Sequence, residues 1–395
     1  MQMAMLATDL TKDQEALRDV AGRLARDVYA AKAREWDAER SFLPDSERRR
    51  LASLDLIGIT LPEEFGGAGR PLLDALVVIE ELAKTCQLAA FPVFEASTGP
   101  ARVIDLFGSQ EQKQRFLPPV ARGETTIAVA ISEPEAGSAA TDMKTTAVED
   151  GDDLVINGIK RWCSGAGHAE RYLVYVRLGP ELGAAAIGAV VVDRDSPGLT
   201  FGAQERFMGF HGIGSADMFF DGVRVPREHL VVAKGGFNRL FSAFSIERLG
   251  NATMSLAIGQ SSLDRAVQYV QQRRQFGRDL VDFQLVQAML ADMVMQVEAA
   301  RLLVYRAAAH AGRGAPVALE ASVAKCFAND MAKLVSDLAI QLHGAYGYAA
   351  EYDVERLHRD AHGWAIAGGT PNMQRVRIAS EYVGRRFEQR ARRAE

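Results

Sequence analysis

Cysteine is scarce in this 395-residue sequence, and its three copies, Cys86, Cys163 and Cys326, stand far apart. An odd number at such spacing suits neither a disulfide framework nor a CxxC metal site, so we expect a reducing, cytoplasmic compartment. The seven histidines form no HExxH motif, and we expect no metal centre. Disulfide-stabilised secreted proteins and zinc enzymes of that motif are therefore disfavoured.

Long apolar runs and charge blocks are also missing. No run is long enough to span a bilayer, and residues 1–10 lack the basic and apolar segments of a secretory signal. The 46 basic and 51 acidic residues are interspersed and give a net charge of -5, which predicts no nucleic-acid partner. No GxGxxG loop joins a predicted strand to a helix, so a dinucleotide fold of that kind is not expected.

What the sequence does contain is an ordinary globular composition, 48% apolar and 25% charged, arranged in three zones of different period. Helical spacing occupies about residues 11–123 and returns after residue 235, where Val286 to Val304 form one apolar face. Between these zones, short β-branched runs predict strands at 154–156, 172–176, 187–192, 219–220 and 223–225. The predicted class is α+β, with three domains at 1–124, 125–234 and 235–395.

Seven short motifs follow one another along these zones. They are LPEEFGGAG at 61–69, SEPEAGS at 132–138, NGIKRW at 157–162, FFDGVRVP at 219–226, RRQFG at 273–277, QLHG at 341–344 and ERLHRD at 355–360. Each is weak alone, but in this order and spacing the set resembles the acyl-CoA dehydrogenase family from about residue 8 to 385. The resemblance implies an N-terminal α-helical domain, a middle antiparallel, barrel-like β-domain and a C-terminal four-helix bundle, with FAD as cofactor.

Dehydrogenating a thioester requires a base for the α-proton, an acceptor for the β-hydride and donors for the enolate-like oxygen. The resemblance makes flavin N5 the hydride acceptor and implies FAD contacts within one subunit from Ile131, Ser132, Gly137, Ser138, Trp162 and Ser164. It implies contacts to the FAD of a neighbouring subunit from Arg273, Gln275, Phe276, Gln284, Gln341 and Gly344. Thr370 and Asn372 complete the implied set. A shared site requires an oligomer, and we expect a homotetramer built as a dimer of dimers.

The base is where the sequence departs from the family's common pattern. Many members carry a glutamate in a Tyr-Glu-Gly-Thr motif, whereas this sequence has IAGGT at 366–370, with Gly368 in that place. SIERL at 245–249 resembles the isovaleryl-CoA dehydrogenase and crotonobetainyl-CoA reductase branches, in which a glutamate precedes an arginine. The resemblance therefore implies Glu247 as the base, although SIERL alone would suggest a solvated Glu–Arg pair. The Gly368 N–H keeps its implied role as a donor to the thioester carbonyl.

The sequence defines the substrate only in part. Arg248 resembles the arginine beside the CoA moiety, and Ser138 is implied to contact the substrate as well as the flavin. Ala90 stands where dicarboxylyl-CoA enzymes carry an arginine, which predicts a neutral acyl group. Glu95 could face a polar or cationic tail, but a solvated glutamate is the simpler interpretation.

The implied reaction is dehydrogenation of an acyl-CoA, with electrons passed to an electron-transfer flavoprotein. Two other uses of the scaffold stay open at this point. One is 3-sulfinopropanoyl-CoA desulfination, whose branch shares IAGGT but has lost the glutamate at both positions, and the other is enoyl-CoA reduction. A non-enzymatic flavin scaffold is disfavoured, because the base, the flavin loop and the inter-subunit arginine are all present.

Overall fold

The computed structural model describes residues 10–385 and residue 387. The prediction that no secretory signal is present concerns residues 1–10, of which only Leu10 is described. The outer ends of the first and third predicted domains likewise lie outside the described residues.

Seven α-helices form the described N-terminal part of the chain. They are α1 (Lys12–Leu24), α2 (Ala30–Glu39), α3 (Asp45–Ser53), α4 (Leu72–Thr85), α5 (Gln87–Thr98), α6 (Pro100–Phe107) and α7 (Gln110–Ala121). A π-helical segment, Ala25–Tyr29, joins α1 to α2. Capping boxes of Thr11 with Gln14 and of Ser109 with Gln112 begin α1 and α7, because their side chains satisfy backbone N–H groups that the first turn leaves free. The helical prediction for this zone is confirmed.

Eight strands form one sheet in the middle of the chain. They are β1 (Ile127–Ala130), β2 (Thr146–Asp150), β3 (Asp153–Ser164), β4 (Arg171–Arg177), β5 (Ile187–Asp193), β6 (Leu199–Phe201), β7 (Ser215–Pro226) and β8 (Leu230–Val232). The pairing order is β6-β7-β3-β2-β4-β5-β8, with β1 added alongside β4. The predicted strands are confirmed within β3, β4, β5 and β7.

The antiparallel prediction needs a correction, because the sheet is mixed. β1 runs parallel to β4, with Ile127 opposite Arg171 and Ala130 opposite Val174. β2 also meets β4 in parallel, at Thr146. Residues 131–170 separate β1 from β4, so no tight hairpin imposes an antiparallel direction on this pair.

The two faces of the sheet are buried against different partners. On β4, Leu173 and Tyr175 join the core that the helices share, whereas Tyr172, Val174 and Val176 fill a core within the sheet. This alternation follows from the two-residue period of a strand. The face that carries Tyr175 is therefore directed toward the helices that hold the candidate site.

Five helices complete the described C-terminal part: α8 (Phe237–Gln272), α9 (Gln284–Ala311), α10 (Ala318–His343), α11 (Asp353–Ile366) and α12 (Pro371–Val383). A two-stranded hairpin, β9 (Arg274–Gln275) and β10 (Arg278–Asp279), connects α8 to α9. Helix α10 packs against the other four helices. The apolar face predicted on α9 is confirmed, since Met293, Val297, Ala300 and Val304 are buried. Helices α8 to α11 are the predicted four-helix unit, and α12 is an additional element.

Candidate active site

Glu247 and Gly368, the two candidate positions for the base, lie in direct contact. A Cβ atom placed on Gly368 would lie 2.6 Å from Oε2 of Glu247 and 2.7 Å from its Oε1. Gly368 also has a φ of +65°, in the left-handed region that favours glycine. The Glu247 carboxylate therefore occupies the space that a side chain at position 368 would need.

The Glu247 side chain is half-buried and lacks a full set of hydrogen-bond partners. Its Oε2 atom accepts no hydrogen bond from any of the described residues. Burial raises the pKa of this carboxyl group, and the positive charges of Lys325 and then Arg248 oppose the shift. A carboxylate with a raised pKa is a stronger proton acceptor, and one without a donor keeps its lone pairs free for a substrate.

Lys325 supplies the larger of those opposing charges from helix α10. It is fully buried, and its Nζ donates hydrogen bonds to Asn329 Oδ1 and to Gly369 O, both at 2.9 Å. Burial lowers the pKa of this ammonium to about 8, although Glu247 acts against the decrease. Lys325 thus ties the glycine turn at 368–369 to α10 and places a cation near the carboxylate.

A buried polar network holds the same turn against α8. Asn251 Nδ2 donates to Trp364 O at 3.1 Å and to Ala367 O at 3.3 Å. Asn329 Nδ2 in turn donates to Asn251 Oδ1 at 3.0 Å and to Ser255 Oγ at 2.7 Å. Within the described residues the backbone N–H of Gly368 donates no hydrogen bond. The network therefore fixes the turn that carries this N–H, which has no acceptor among the described residues.

The predicted flavin loop at 132–138 is anchored from its buried side. Lys160 Nζ donates to Ile131 O at 3.0 Å and to Glu133 at 2.8 Å, and the backbone N–H of Arg161 donates to Ser132 O at 2.8 Å. By contrast, Gly137 and Ser138 are exposed, and a Cβ on Gly137 would have no atom within 4 Å. The loop is fixed in shape and leaves open space at its outer edge.

Trp162 projects from an irregular point in β3. The β3–β7 register shifts between Lys160 and Cys163, and Trp162 has a φ of +61°, a conformation that costs energy for a bulky side chain. Its indole is 50% exposed, while Cys163 beside it is buried and Ser164 ends the strand. An aromatic ring held outward in a strained conformation is typical of a ligand-contacting position.

The residues predicted to reach a neighbouring subunit gather at one end of the C-terminal helices. Arg273 lies 5.6 Å from the ring centroid of Tyr346, in the turn that follows Gly344. Phe276 occupies the hairpin tip with a φ of +52° and 93% exposure. Gln275, Gln284 and Gln341 are exposed as well. The structure thus brings the Arg273 and Gly344 segments together on an open surface.

Comparison with known proteins identifies the family of the chain. Models of the N-terminal, middle and C-terminal domains of acyl-CoA dehydrogenase match residues 11–124, 128–223 and 234–383. The chain belongs to the acyl-CoA dehydrogenase family. It is therefore an oxidoreductase that acts on acyl-CoA, and its family is one of flavoproteins.

Individual relatives cover almost the whole chain. A 3-sulfinopropanoyl-CoA desulfinase of Paraburkholderia xenovorans (strain LB400) is 38% identical over 389 residues, 97% of this chain and 99% of the relative. An acryloyl-CoA reductase (NADH) of Anaerotignum propionicum is 34% identical over 387 residues, 97% and 98% of the two chains. The structure of butyryl-CoA dehydrogenase from Megasphaera elsdenii matches with a TM-score of 0.92 at 33% identity, covering 95% and 99%. The predicted three-domain acyl-CoA dehydrogenase fold is confirmed.

The predicted substrate residues of this chain lie in different places. Arg248 is buried against the rings of Phe241 and Phe244, at 4.7 and 5.9 Å, and its Nε and Nη1 have no partner among the described residues. Ala90 lies in the core on α5. The expectation of a solvated Glu95 is wrong, because this residue is buried on α5. Glu95 lines a small cavity with Arg48 and Thr126, and burial raises its pKa to about 8. The cavity beside Glu95 opens between α5, α3 and β1.

At the end of the glycine turn, the two remaining predicted cofactor residues flank the start of α12. The Thr370 side chain caps this helix by accepting from the Met373 N–H at 3.4 Å, and Asn372 is exposed.

On α11, His358 and His362 approach with ring centroids 5.0 Å apart, but within residues 10–385 no third His, Cys, Asp or Glu joins them in a metal-binding group. No helix in the same range is long and apolar enough to cross a membrane.

Two residues near Glu247 were missed by sequence analysis. Lys325 follows Ala321 by four positions on the buried face of α10. A lysine within an otherwise apolar helix face could have indicated a buried functional group. Tyr175 lies on the helix-facing side of β4, with its ring 6.3 Å from Phe244 and its hydroxyl unpaired within the described residues. Burial raises the pKa of this phenol and Glu247 raises it further, which places Tyr175 in the surroundings of the carboxylate.

Proposed function

We propose that this chain catalyses the α,β-dehydrogenation of an acyl-CoA thioester, with Glu247 as the base for the α-proton. The observation that carries the proposal is the contact between the Glu247 carboxylate and Gly368. Many family members carry the catalytic glutamate at the position of Gly368. The contact supports the view that Glu247, on α8, places its carboxylate where that glutamate would be. The raised pKa and the unpaired Oε2 suit a general base.

The neighbouring groups support the same chemistry. The free N–H of Gly368 can donate to the thioester carbonyl as negative charge develops there, and the network through Asn251 and Asn329 keeps it in place. Arg248, buried and short of acceptors, can receive a polar group of the CoA moiety. Glu247 would then accept the proton at one of its own oxygen atoms.

The residues present fit FAD. The half-exposed Trp162, the open edge at Gly137 and Ser138, and the exposed Arg273–Gly344 surface are the features that such a ligand needs. We propose Ile131, Ser132, Ser164, Thr370 and Asn372 as further contacts, with Gln275, Phe276, Gln284 and Gln341 acting on the FAD of a second copy. When bound, the flavin supplies the hydride acceptor that no side chain provides. An electron-transfer flavoprotein is the proposed electron acceptor.

The names of two relatives suggest alternative reactions for this chain. One relative is named a desulfinase and another a reductase, and both align along nearly the whole chain. The presence of a half-buried carboxylate with a raised pKa at position 247 favours α-proton chemistry over desulfination, which needs no such base. A reductase would use the same carboxylate as a proton donor in the reverse direction.

Anaerobic titration of the FAD-loaded protein tests the proposed function. We expect a saturated, neutral acyl-CoA to bleach the visible flavin band in a single turnover and to yield the enoyl-CoA. Release of sulfite from 3-sulfinopropanoyl-CoA without bleaching would instead establish desulfination. Oxidation of pre-reduced flavin by enoyl-CoA, with no bleaching by any acyl-CoA, would establish reduction.

Replacing Arg273 with alanine should weaken FAD retention by about tenfold or more, the amount expected for one charge-assisted hydrogen bond to a phosphate. Arg274→Ala is the matched control, because this neighbour is exposed and pairs with Gly277 O and Asp279. The amount of FAD that remains bound per chain after gel filtration measures retention, and the mass of the oligomer is determined in the same experiment. Equal FAD retention in the two variants would contradict a shared site built on Arg273.

A further inference from the structure

One turn beyond Glu247, helix α8 packs closely against a neighbouring helix. Gly250 follows Glu247 by three residues and so lies on the same face of α8, one turn further along. A Cβ on Gly250 would lie 2.4 Å from Thr98 Oγ1 and 2.8 Å from Cδ2 and Cε2 of Phe94. Helix α5 thus approaches α8 closely, and the Phe94 ring lies directly against Gly250.

Phe94 is fixed in that position by other aromatic rings. Its centroid is 5.3 Å from that of Trp364 in an edge-to-face arrangement and 5.6 Å from that of Phe91. Trp364 is itself held by a hydrogen bond from Nε1 to Gln87 Oε1 at 2.8 Å and by Phe210 at 4.8 Å. Both Phe94 and Trp364 are buried. Together they form an aromatic plug between α5, α8 and the end of α11.

The opposite end of α8 is open. Arg239 and Ser242 are exposed, and Phe237 and Phe241 are only partly buried. A CoA moiety is large and charged, so it has to remain at this open end, where the buried Arg248 packs against Phe241 and Phe244. The acyl group of a thioester whose α-carbon lies at Glu247 is therefore directed toward the plug.

We propose that Phe94 and Trp364 restrict the substrate to short, neutral acyl groups of about three to five carbons; this rests on the proposed function. Three residues of helix advance about 4.5 Å, and three bonds of an extended chain span about 3.5 Å. Only a few carbons therefore fit between the level of Glu247 and that of Gly250. The plug is apolar, and the Thr98 hydroxyl is already used in a 2.7 Å bond to Phe94 O, so a distal carboxylate would have no partner there.

The test compares butyryl-CoA with octanoyl-CoA in the FAD-loaded wild type and in Phe94→Ala. We expect the wild type to favour butyryl-CoA by at least tenfold in kcat/KM, and the variant to shift the butyryl-to-octanoyl ratio toward octanoyl-CoA by at least tenfold. Phe107→Ala is the control, since this ring packs under Arg239 away from the plug and should leave the ratio unchanged. Phe94→Leu serves as a milder change should the alanine variant fold poorly.

Calorimetric binding of the same two thioesters separates this inference from the proposed reaction. If no acyl-CoA bleaches the flavin but butyryl-CoA still binds more tightly than octanoyl-CoA, the proposed reaction is wrong, whereas the proposed limit on acyl-chain length holds. If octanoyl-CoA binds and reacts as well as butyryl-CoA in the wild type, the plug is wrong. An unchanged ratio in folded Phe94 variants would also overturn it.

Discussion

Flavin reduction by an acyl-CoA should fall by at least ~10²-fold in Glu247→Gln, the lower end for loss of a general base. Glutamine keeps the size of the side chain but removes the basic oxygen. FAD content and acyl-CoA binding should change little, because the affected contact is with the proton that leaves. Stopped-flow absorbance under anaerobic conditions measures the rate.

The pH dependence of flavin reduction gives a second test of Glu247. Since burial raises the pKa of Glu247, the wild-type rate should rise with pH through a range above that of an ordinary carboxylate and level off once the group is ionised. Glu298→Gln, the same exchange on the exposed side of α9, is the control and should retain both the rate and this pH dependence. A wild-type rate in Glu247→Gln would mean that another group takes the proton.

Gly368→Ala should lower flavin reduction by about 10²-fold, the size of effect expected when a catalytic group is displaced by about 1 Å. The new methyl group would lie 2.6 Å from Oε2 of Glu247, so the carboxylate has to move. A left-handed backbone at φ +65° adds a strain of roughly 1–2 kcal/mol. Rates and thermal unfolding midpoints should be measured together.

Gly384→Ala separates crowding from strain in that experiment. Gly384 has almost the same φ, +66°, but a Cβ there would have no atom within 4 Å. It should therefore show a strain-sized loss of stability with normal flavin reduction. If Gly368→Ala behaves like Gly384→Ala, the contact between position 368 and Glu247 has no role in the reaction.

Periodicity predicted most of the elements that position the site. The apolar stripe on α9 and the β-branched runs in β3, β4, β5 and β7 are local signals, because burial of a helix face or a strand face repeats every few residues. The parallel pairing of β1 with β4 was not predictable in this way. It depends on which distant strand supplies the hydrogen-bond partners, and a run of four residues does not encode that choice.

The candidate site was predicted in its residues but not in its contacts. A glycine at position 368 together with a glutamate at position 247 indicated that the catalytic base has changed position. Only the structure shows that the two positions are in contact. The Phe94–Gly250 contact joins helices more than 150 residues apart, which no local pattern reports. Neighbouring residues on a helix point about 100° apart, so the sequence could not decide which of Phe94 and Glu95 is directed toward α8.

Removal of the α-proton by Glu247 can be measured without any hydride transfer. The substrate would be an acyl-CoA whose β-carbon is replaced by sulfur, so that it has an acidic α-proton but no β-hydrogen. Incubated with the FAD-loaded protein in deuterium oxide, this thioester should gain deuterium at the α-carbon with wild type and with Glu298→Gln, as measured by mass spectrometry. Exchange should be at least ~10²-fold slower with Glu247→Gln. Equal exchange by Glu247→Gln and wild type would contradict the assignment of Glu247 as the base.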